Sequence, residues 1–441
     1  MTSVFEYPRV LVVGAEPFGC STGTGITLSN LFDGWPRDRL AQVYLSSAVP
    51  STEVCERFYR VDPRSAPVDH AIRRLTRRDG PAGSGLSAGA GEATGGSPAW
   101  RARGLLSVRA AADLSPLRVP TDLVSWVRRQ RPEVIYSMLG SARVMDLVRR
   151  LAAICQVPVV PHFMDDWPSV IYTNGELLGW GRRATAARME SVISRAGSGL
   201  CISEPMAEEY RHRYGIPFAA FMNCVEEDAF TRQPGSNGAK ADPGKYVEFV
   251  YVGGLHLGRW APLARIGAAM AGLRSSLPQP RLTVHAPERD LLRYGGAFAD
   301  LPAVRLSQPV ASSGVPAVLQ TADVLVHVES FAPALARYTR LSLSTKIPQY
   351  LAAGRPVLAH GPAELASMRH LRTAGAGWIV GEDDQELLSD AIRGLRGDPA
   401  LRQRLGCDGY AYAKLHHAKR RVTMRFAEHL AAAAGGNHVE G

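Results

Sequence analysis

Short apolar runs alternate with helically spaced stretches along nearly the whole chain, and at one point the series stops and starts again. Runs at 9–13, 41–45, 133–137, 157–162, 198–202 and 219–222 read as strands, with helical patterns at 25–32, 119–129, 142–155, 182–196 and 204–214. Apolar strands separated by helices belong in a parallel sheet covered on both faces. The stretch 232–245, rich in Gly, Pro, Ala and Asp, interrupts the series. A fresh strand follows at 246–252, then runs at 281–285, 304–306, 323–328, 356–359 and 378–380, with helices at 262–275, 315–321, 346–353, 384–395 and 399–412. At 441 residues the chain exceeds one ordinary core. The expected fold class is α/β with two Rossmann-like domains, 1–230 and 246–413, joined by a linker at 231–245. Such halves face a central cleft at the carboxyl ends of both sheets, where ligands bind. Residues 414–441 complete the chain with a basic helix at 414–434 and a tail.

Composition narrows the class. Hydrophobic residues make up 46% and charged residues 21%, the balance of a globular protein. The segment 79–97 has almost no bulky side chain and is expected as a flexible insertion in the first domain. No apolar run is long enough to span a bilayer. The first residues show no basic region followed by an apolar stretch, so a cytoplasmic chain without a signal peptide is expected. None of the six cysteines forms a Cys-x-x-Cys pair, and buried free thiols are expected rather than a metal or disulfide framework.

The formal net charge is +10, with local runs at 73–78, 128–131, 149–150 and 416–421. Solvated helix faces account for these runs plainly. The sharper reading is attraction to an anion: a nucleoside diphosphate, a polyprenyl-phosphate acceptor, or peripheral contact with an anionic membrane. No basic stripe is interleaved with aromatics, so no nucleic acid partner is expected.

Several segments carry residues suited to chemistry. In 344–358 a helical run ends at Gly354, and Pro356 forbids its continuation. Lys346 stands in the first turn, where the macrodipole disfavours a cation; beside free N–H groups such a cation builds an anion site. The plain alternative is an ordinary helix–strand unit with a solvated lysine. The loop 14–25 is glycine-rich and opens a helix, a backbone cradle for anions, with Gly23 and Gly25 as its candidates. It is not a strict Gly-x-Gly-x-x-Gly fingerprint, and no Walker lysine follows. His162, Asp165 and Asp166 lie at a strand's carboxyl end, where a cleft opens, although a lone His beside an apolar strand is more often structural. The segment 249–259 ends its strand in Gly253 and Gly254 and reaches the basic Arg259. Glu329 closes the run 322–329, and Asn223 sits near the expected hinge.

Taken in chain order, these segments resemble GT-B glycosyltransferases, in particular the retaining family 4. The resemblance rests on Ser344-x-Lys346 through Tyr350-Leu-Ala-Ala-Gly354-x-Pro356-Val357, on the glycine–basic segment at 253–259, and on the His162–Asp166 and 201–230 segments. It implies transfer of a sugar from a nucleoside-diphosphate donor to a hydroxyl acceptor (glycan, lipid-linked or small molecule), with retention and without a metal or a further cofactor. By the same resemblance His162, Arg259 and Lys346 would be catalytic, His162 meeting the transferred sugar and the two cations the leaving diphosphate. Gly23, Gly25, Gly253, Gly254, Glu329 and Gln349 would bind donor, with Gln349 on the ribose. Asp165, Asp166 and Asn223 would line the acceptor side or cleft, and the terminal helix would cross back to the first domain.

The sequence departs from that pattern in four places. Gln349 stands where the family usually has Glu, Gly254 where it has a second basic residue, Cys224 where it has Gly, and Leu341 at the spacing of its first paired glutamate. Two other readings keep the same fold: a non-catalytic scaffold or assembly subunit, and a sugar-nucleotide epimerase.

Overall fold

The structure is a computed structural model and describes residues 5–19, 23–68, 70–71, 99–173, 176–230, 244–273 and 277–435. The expected insertion at 79–97 and most of the expected linker, 231–243, lie outside the described residues. The chain forms two compact units, residues 1–222 with 423–441, and residues 223–422. It changes unit at 222/223, ahead of the stretch expected as linker, and again at 422/423.

The first unit holds β1 (Val10–Gly14), β2 (Leu40–Tyr44), β3 (Phe58–Arg60), β4 (Val134–Ser137), β5 (Val159–Phe163), β6 (Gly199–Cys201) and β7 (Phe218–Ala220). Their order is β3-β2-β1-β4-β5-β6-β7, and every pairing is parallel. All residues of β1, β2, β4 and β5 are buried, so these strands are covered on both faces, as their unbroken apolar runs require. Val10 stands opposite both Leu40 and Val134, which fixes the centre of the sheet.

Local sequence sets the helix ends. Ser141 caps the helix Ala142–Cys155 by accepting from Val144 N, and Ser203 caps Glu204–Tyr214 by accepting from Met206 N, while Gly215 ends that helix in the left-handed region. Phe426, fully buried on the helix Lys419–Gly435, meets Phe32, Tyr136 and Phe221 edge-on at 5.0, 5.5 and 5.8 Å.

The second unit repeats the plan with β8 (Tyr246–Val252), β9 (Gln279–His285), β10 (Val304–Ser307), β11 (Val324–Val328), β12 (Val357–His360) and β13 (Gly377–Val380). The order is β10-β9-β8-β11-β12-β13, again all parallel. Phe249, Leu263, Ile266, Leu282, Val326, Leu358, Leu388 and Ile392 share its core. Strand order reverses at β1/β4 in one unit and at β8/β11 in the other, the switch points where a doubly wound sheet presents ligand sites at its carboxyl ends.

Three differences from the expected elements have local causes. β3 is a three-residue edge strand, too short for a periodic signal. The helix Ala99–Leu114 follows the glycine-rich stretch and was not anticipated. The basic helix expected at 414–434 is two helices. Pro399–His416 stops at His417 (φ −122°, ψ 0°) and Lys419–Gly435 starts afresh. In the break, Val225 N donates to His417 O at 2.9 Å and Lys419 N donates to Val225 O at 2.9 Å.

Among the described residues the free cysteines Cys55, Cys201 and Cys224 are buried, and Cys155 and Cys407 half-buried. No described helix is long and apolar enough to cross a membrane.

Candidate functional site

In the second unit, the ends of β8 and β11 and the start of the helix Ile347–Ala352 converge. Lys346 is the residue before that helix. Its Nζ donates to the Tyr251 hydroxyl at 3.2 Å and lies 4.3 Å from the centre of the Tyr251 ring. The Tyr251 hydroxyl in turn donates to Gly254 O at 2.6 Å. Gly253 has φ +150°, and a Cβ there would occupy the place of the lysine amine. Glycine is therefore required at 253 twice, by its backbone and by Lys346. A side chain at 254 would run into the His256 ring, so His256 fills the space where a second basic residue was expected.

The neighbouring groups are equally constrained. Arg259 Nη2 donates to both Glu329 carboxylate oxygens, at 3.1 and 3.3 Å, and Glu329 is only 3% exposed. His327 Nε2 lies 3.6 Å from Glu329 Oε1, too far for a hydrogen bond. Neither ring nitrogen of the buried His327 has a hydrogen-bond partner. Backbone contacts hold the frame. Val252 N donates to the Tyr350 hydroxyl at 3.2 Å, Leu255 N to Asp290 Oδ2 at 2.7 Å, and Asn223 Nδ2 to Thr345 O at 3.3 Å. Asn223 thus steadies the turn that carries Lys346.

Charge is concentrated here at a cost. Burial, then the adjacent Arg259, push the Lys346 ammonium down to about 7, against the pull of Glu329. Burial alone would raise Glu329, but Arg259, His327 and Lys346 together hold it below the usual carboxylate range. Burial and Arg259 also lower His256. Burial takes His327 down to about 3, so it stays neutral at physiological pH. Two basic side chains, Lys346 and Arg259, stand against the one carboxylate of Glu329, a surplus of basic groups that suits an anion. Gln349 is half-buried on the same helix. Among the described residues no cluster of side chains gathers that could hold a metal ion.

The candidates of the first unit are arranged differently. His162 is 1% exposed; its Nδ1 pairs with the Tyr136 hydroxyl at 2.7 Å and its Nε2 with Phe221 O at 3.2 Å. Burial lowers it to about 3. With both ring nitrogens engaged, His162 ties β4, β5 and the chain beyond β7 together. Asp166 is also 1% exposed and fully spent, accepting from Tyr210 Oη at 2.8 Å, Arg213 Nη1 at 2.8 Å and Ser169 Oγ at 2.7 Å. It is a buried ion-pair anchor. Asp165 is half-buried beside it.

Gly23 is exposed and Gly25 buried in the first turn of the helix Gly23–Leu31, and residues 20–22 of that loop lie outside the described residues. The described part of the loop is pinned by Gln42, which accepts from Phe18 N at 2.9 Å and donates to Glu16 O at 3.1 Å.

Sequence reasoning did not single out Tyr251, His256, His327, Tyr350 or Asp290. The first four lie inside segments that did attract notice, but Tyr251 and His327 sit within apolar strands and read as core. Asp290 comes from the helix Glu288–Tyr294, which carried no signal.

No protein-family model matches the chain, and no curated protein matches it in sequence. Solved structures do match in fold. HepE of Anabaena in complex with UDP is 12% identical, with a TM-score of 0.62, over 96% of this chain and 100% of that one. HepE in complex with UDP-glucose is 12% identical, with a TM-score of 0.60, over 96% and 99%. Sucrose-phosphate synthase from Thermosynechococcus elongatus is 13% identical, with a TM-score of 0.60, over 96% and 98%. These neighbours are GT-B glycosyltransferases, and this chain shares their GT-B fold.

Proposed function

We propose that this chain is a glycosyltransferase of the retaining family 4 type, moving a sugar from a nucleoside-diphosphate donor to a hydroxyl acceptor. The observation that carries the reading is the half-buried group of Lys346, Gly253 and Arg259 around the buried Tyr251 and Glu329. It offers two cations to an anion at the carboxyl ends of β8 and β11, in a fold whose neighbours include complexes with UDP and UDP-glucose. In this reading the bond between the anomeric carbon and the diphosphate oxygen breaks, and its electron pair leaves with the diphosphate. The acceptor oxygen bonds that carbon on the same face and passes its proton to the departing diphosphate oxygen. Lys346 and Arg259 balance the charge gathering on the leaving group, electrostatic stabilisation that asks for no metal. Gln349 accepts from the ribose hydroxyls through its amide oxygen. Gly253 and Gly254 let the pyrophosphate approach the backbone. Glu329 keeps Arg259 extended until the diphosphate competes for it.

The test is donor turnover in excess EDTA, read as sugar released or transferred from UDP-glucose and other nucleoside-diphosphate sugars. Turnover that persists in EDTA supports the reading, and turnover lost in EDTA and restored by a divalent cation contradicts its metal-free part. A second reading, a non-catalytic scaffold, draws on Gln349 and on the commitment of Arg259 to Glu329. Diphosphate binding without turnover of any donor would establish it.

A further inference from the structure

The first unit displays an apolar tip that its own fold does not use. Leu178 is 100% exposed, Trp180 56% and Val108 43%. Leu177 N lies 3.4 Å from Ser107 Oγ, which joins the turn 176–179 to the helix Ala99–Leu114 on which it packs. The backbone here is strained. Tyr172, Leu177 and Leu178 have φ of +51°, +51° and +56°, a region that leucine rarely occupies and that Asn or Gly accepts readily. An exposed leucine is ordinary alone. A wholly exposed leucine on left-handed backbone, followed at once by a half-exposed tryptophan, brings the fold no packing in return.

Two basic side chains stand beside these apolar ones. Arg182 and Arg183 are exposed in the first turn of the helix Trp180–Ile193. Two acidic groups nearby face inward. Asp113 accepts from Tyr172 Oη at 3.0 Å and Ala142 N at 3.1 Å, and Asp146 from Arg188 Nε at 3.1 Å. Glu190 is exposed two turns further along the helix.

We propose that residues 177–183 dock on an anionic membrane surface, Leu178 and Trp180 entering the boundary between headgroups and acyl chains and Arg182 and Arg183 meeting lipid phosphates. Tryptophan and leucine beside arginine suit that boundary. Two projecting side chains offer far less area than the roughly 800 Å² per partner of a stable protein interface, whereas they suffice for reversible lipid contact. The inference stands apart from the donor site and does not rest on the transferase reading.

Co-sedimentation of the full chain with phosphatidylcholine vesicles, with and without phosphatidylglycerol, tests it at low and physiological salt. The wild type should partition onto the phosphatidylglycerol vesicles, more weakly as salt rises. Leu178→Asn and Trp180→Ala should each lower partition about tenfold or more, from the lost apolar insertion. Arg182→Gln with Arg183→Gln should lower it and flatten the salt dependence. Leu178→Asn should also keep or raise the melting temperature, because Asn accepts the left-handed backbone, so lost binding cannot be blamed on lost fold. Three results would overturn the proposal: no partition by the wild type, wild-type partition by the variants, or concentration-dependent self-association in the absence of lipid that Leu178→Asn abolishes.

Discussion

At the carboxyl end of β5 the first unit gathers His162 and Asp166; at the ends of β8 and β11 the second gathers Arg259, Glu329 and His327 beside Lys346. The residue types are alike and so is the position in a doubly wound sheet. What differs is how far each set is satisfied by the protein itself. Both nitrogens of His162 and both oxygens of Asp166 are spent on Tyr136, Phe221 O, Tyr210, Arg213 and Ser169. In the second unit His327 has no hydrogen-bond partner for either nitrogen, and Lys346 holds its proton weakly. Polar groups that are fully paired hold a fold, and groups left in need are those a ligand can satisfy.

Breaking the satisfied set should cost the most. Asp166→Ala removes the acceptor of Tyr210 and Ser169 and leaves Arg213 with Glu209 as its ion-pair partner, and should destabilise the first unit by about 3 kcal/mol, the low end for breaking a buried ion pair because Arg213 keeps that partner. Chemical denaturation checks it, and a loss under about 1 kcal/mol would mean Asp166 is not the anchor described.

Gly253→Ala comes next. Its φ of +150° strains any side chain, and the new methyl group displaces the lysine amine. We expect a loss of about 1–3 kcal/mol of stability together with weakened UDP binding. A variant that binds UDP like the wild type would break the link between that glycine and Lys346.

The smallest effect is a pH profile. An anion beside Lys346 raises its proton affinity, so donor binding takes up a proton wherever the free lysine is neutral. Affinity for UDP-glucose, whose diphosphate does not titrate near neutrality, should be flat below about 7 and fall as pH rises above it. The fall cannot exceed about tenfold per pH unit for one proton. The sign for the unliganded fold is the opposite: burying the ammonium costs stability below about pH 7, and that cost is relieved as pH rises toward the ordinary lysine value. A profile flat through pH 9 would contradict the coupling.

The sheet plan was legible because buried parallel strands leave unbroken apolar runs, as 246–252 shows. The edge strand Phe58–Arg60 and the helix break at His417 were not. One is too brief for a pattern, and the other is fixed by a backbone pair with Val225, far away in sequence. At the site, the motifs exposed Lys346, Arg259 and Gly253 but could not say which candidates were already satisfied. His162 is settled by Phe221 O, 59 residues on, and Asp166 by Arg213, 47 residues on. Such partners exist only once the chain is folded.

The central proposal is that Lys346 and its neighbours in the second unit form a diphosphate site, and Lys346→Met with paired readouts tests it most directly. Calorimetry should show UDP affinity lower by on the order of 1.5–3 kcal/mol, about ten- to a hundredfold, from loss of one charge-assisted contact. The melting temperature at neutral pH should stay level or rise, because a poorly accommodated ammonium has been removed. A folded Lys346→Met protein that binds UDP as tightly as the wild type would contradict the account.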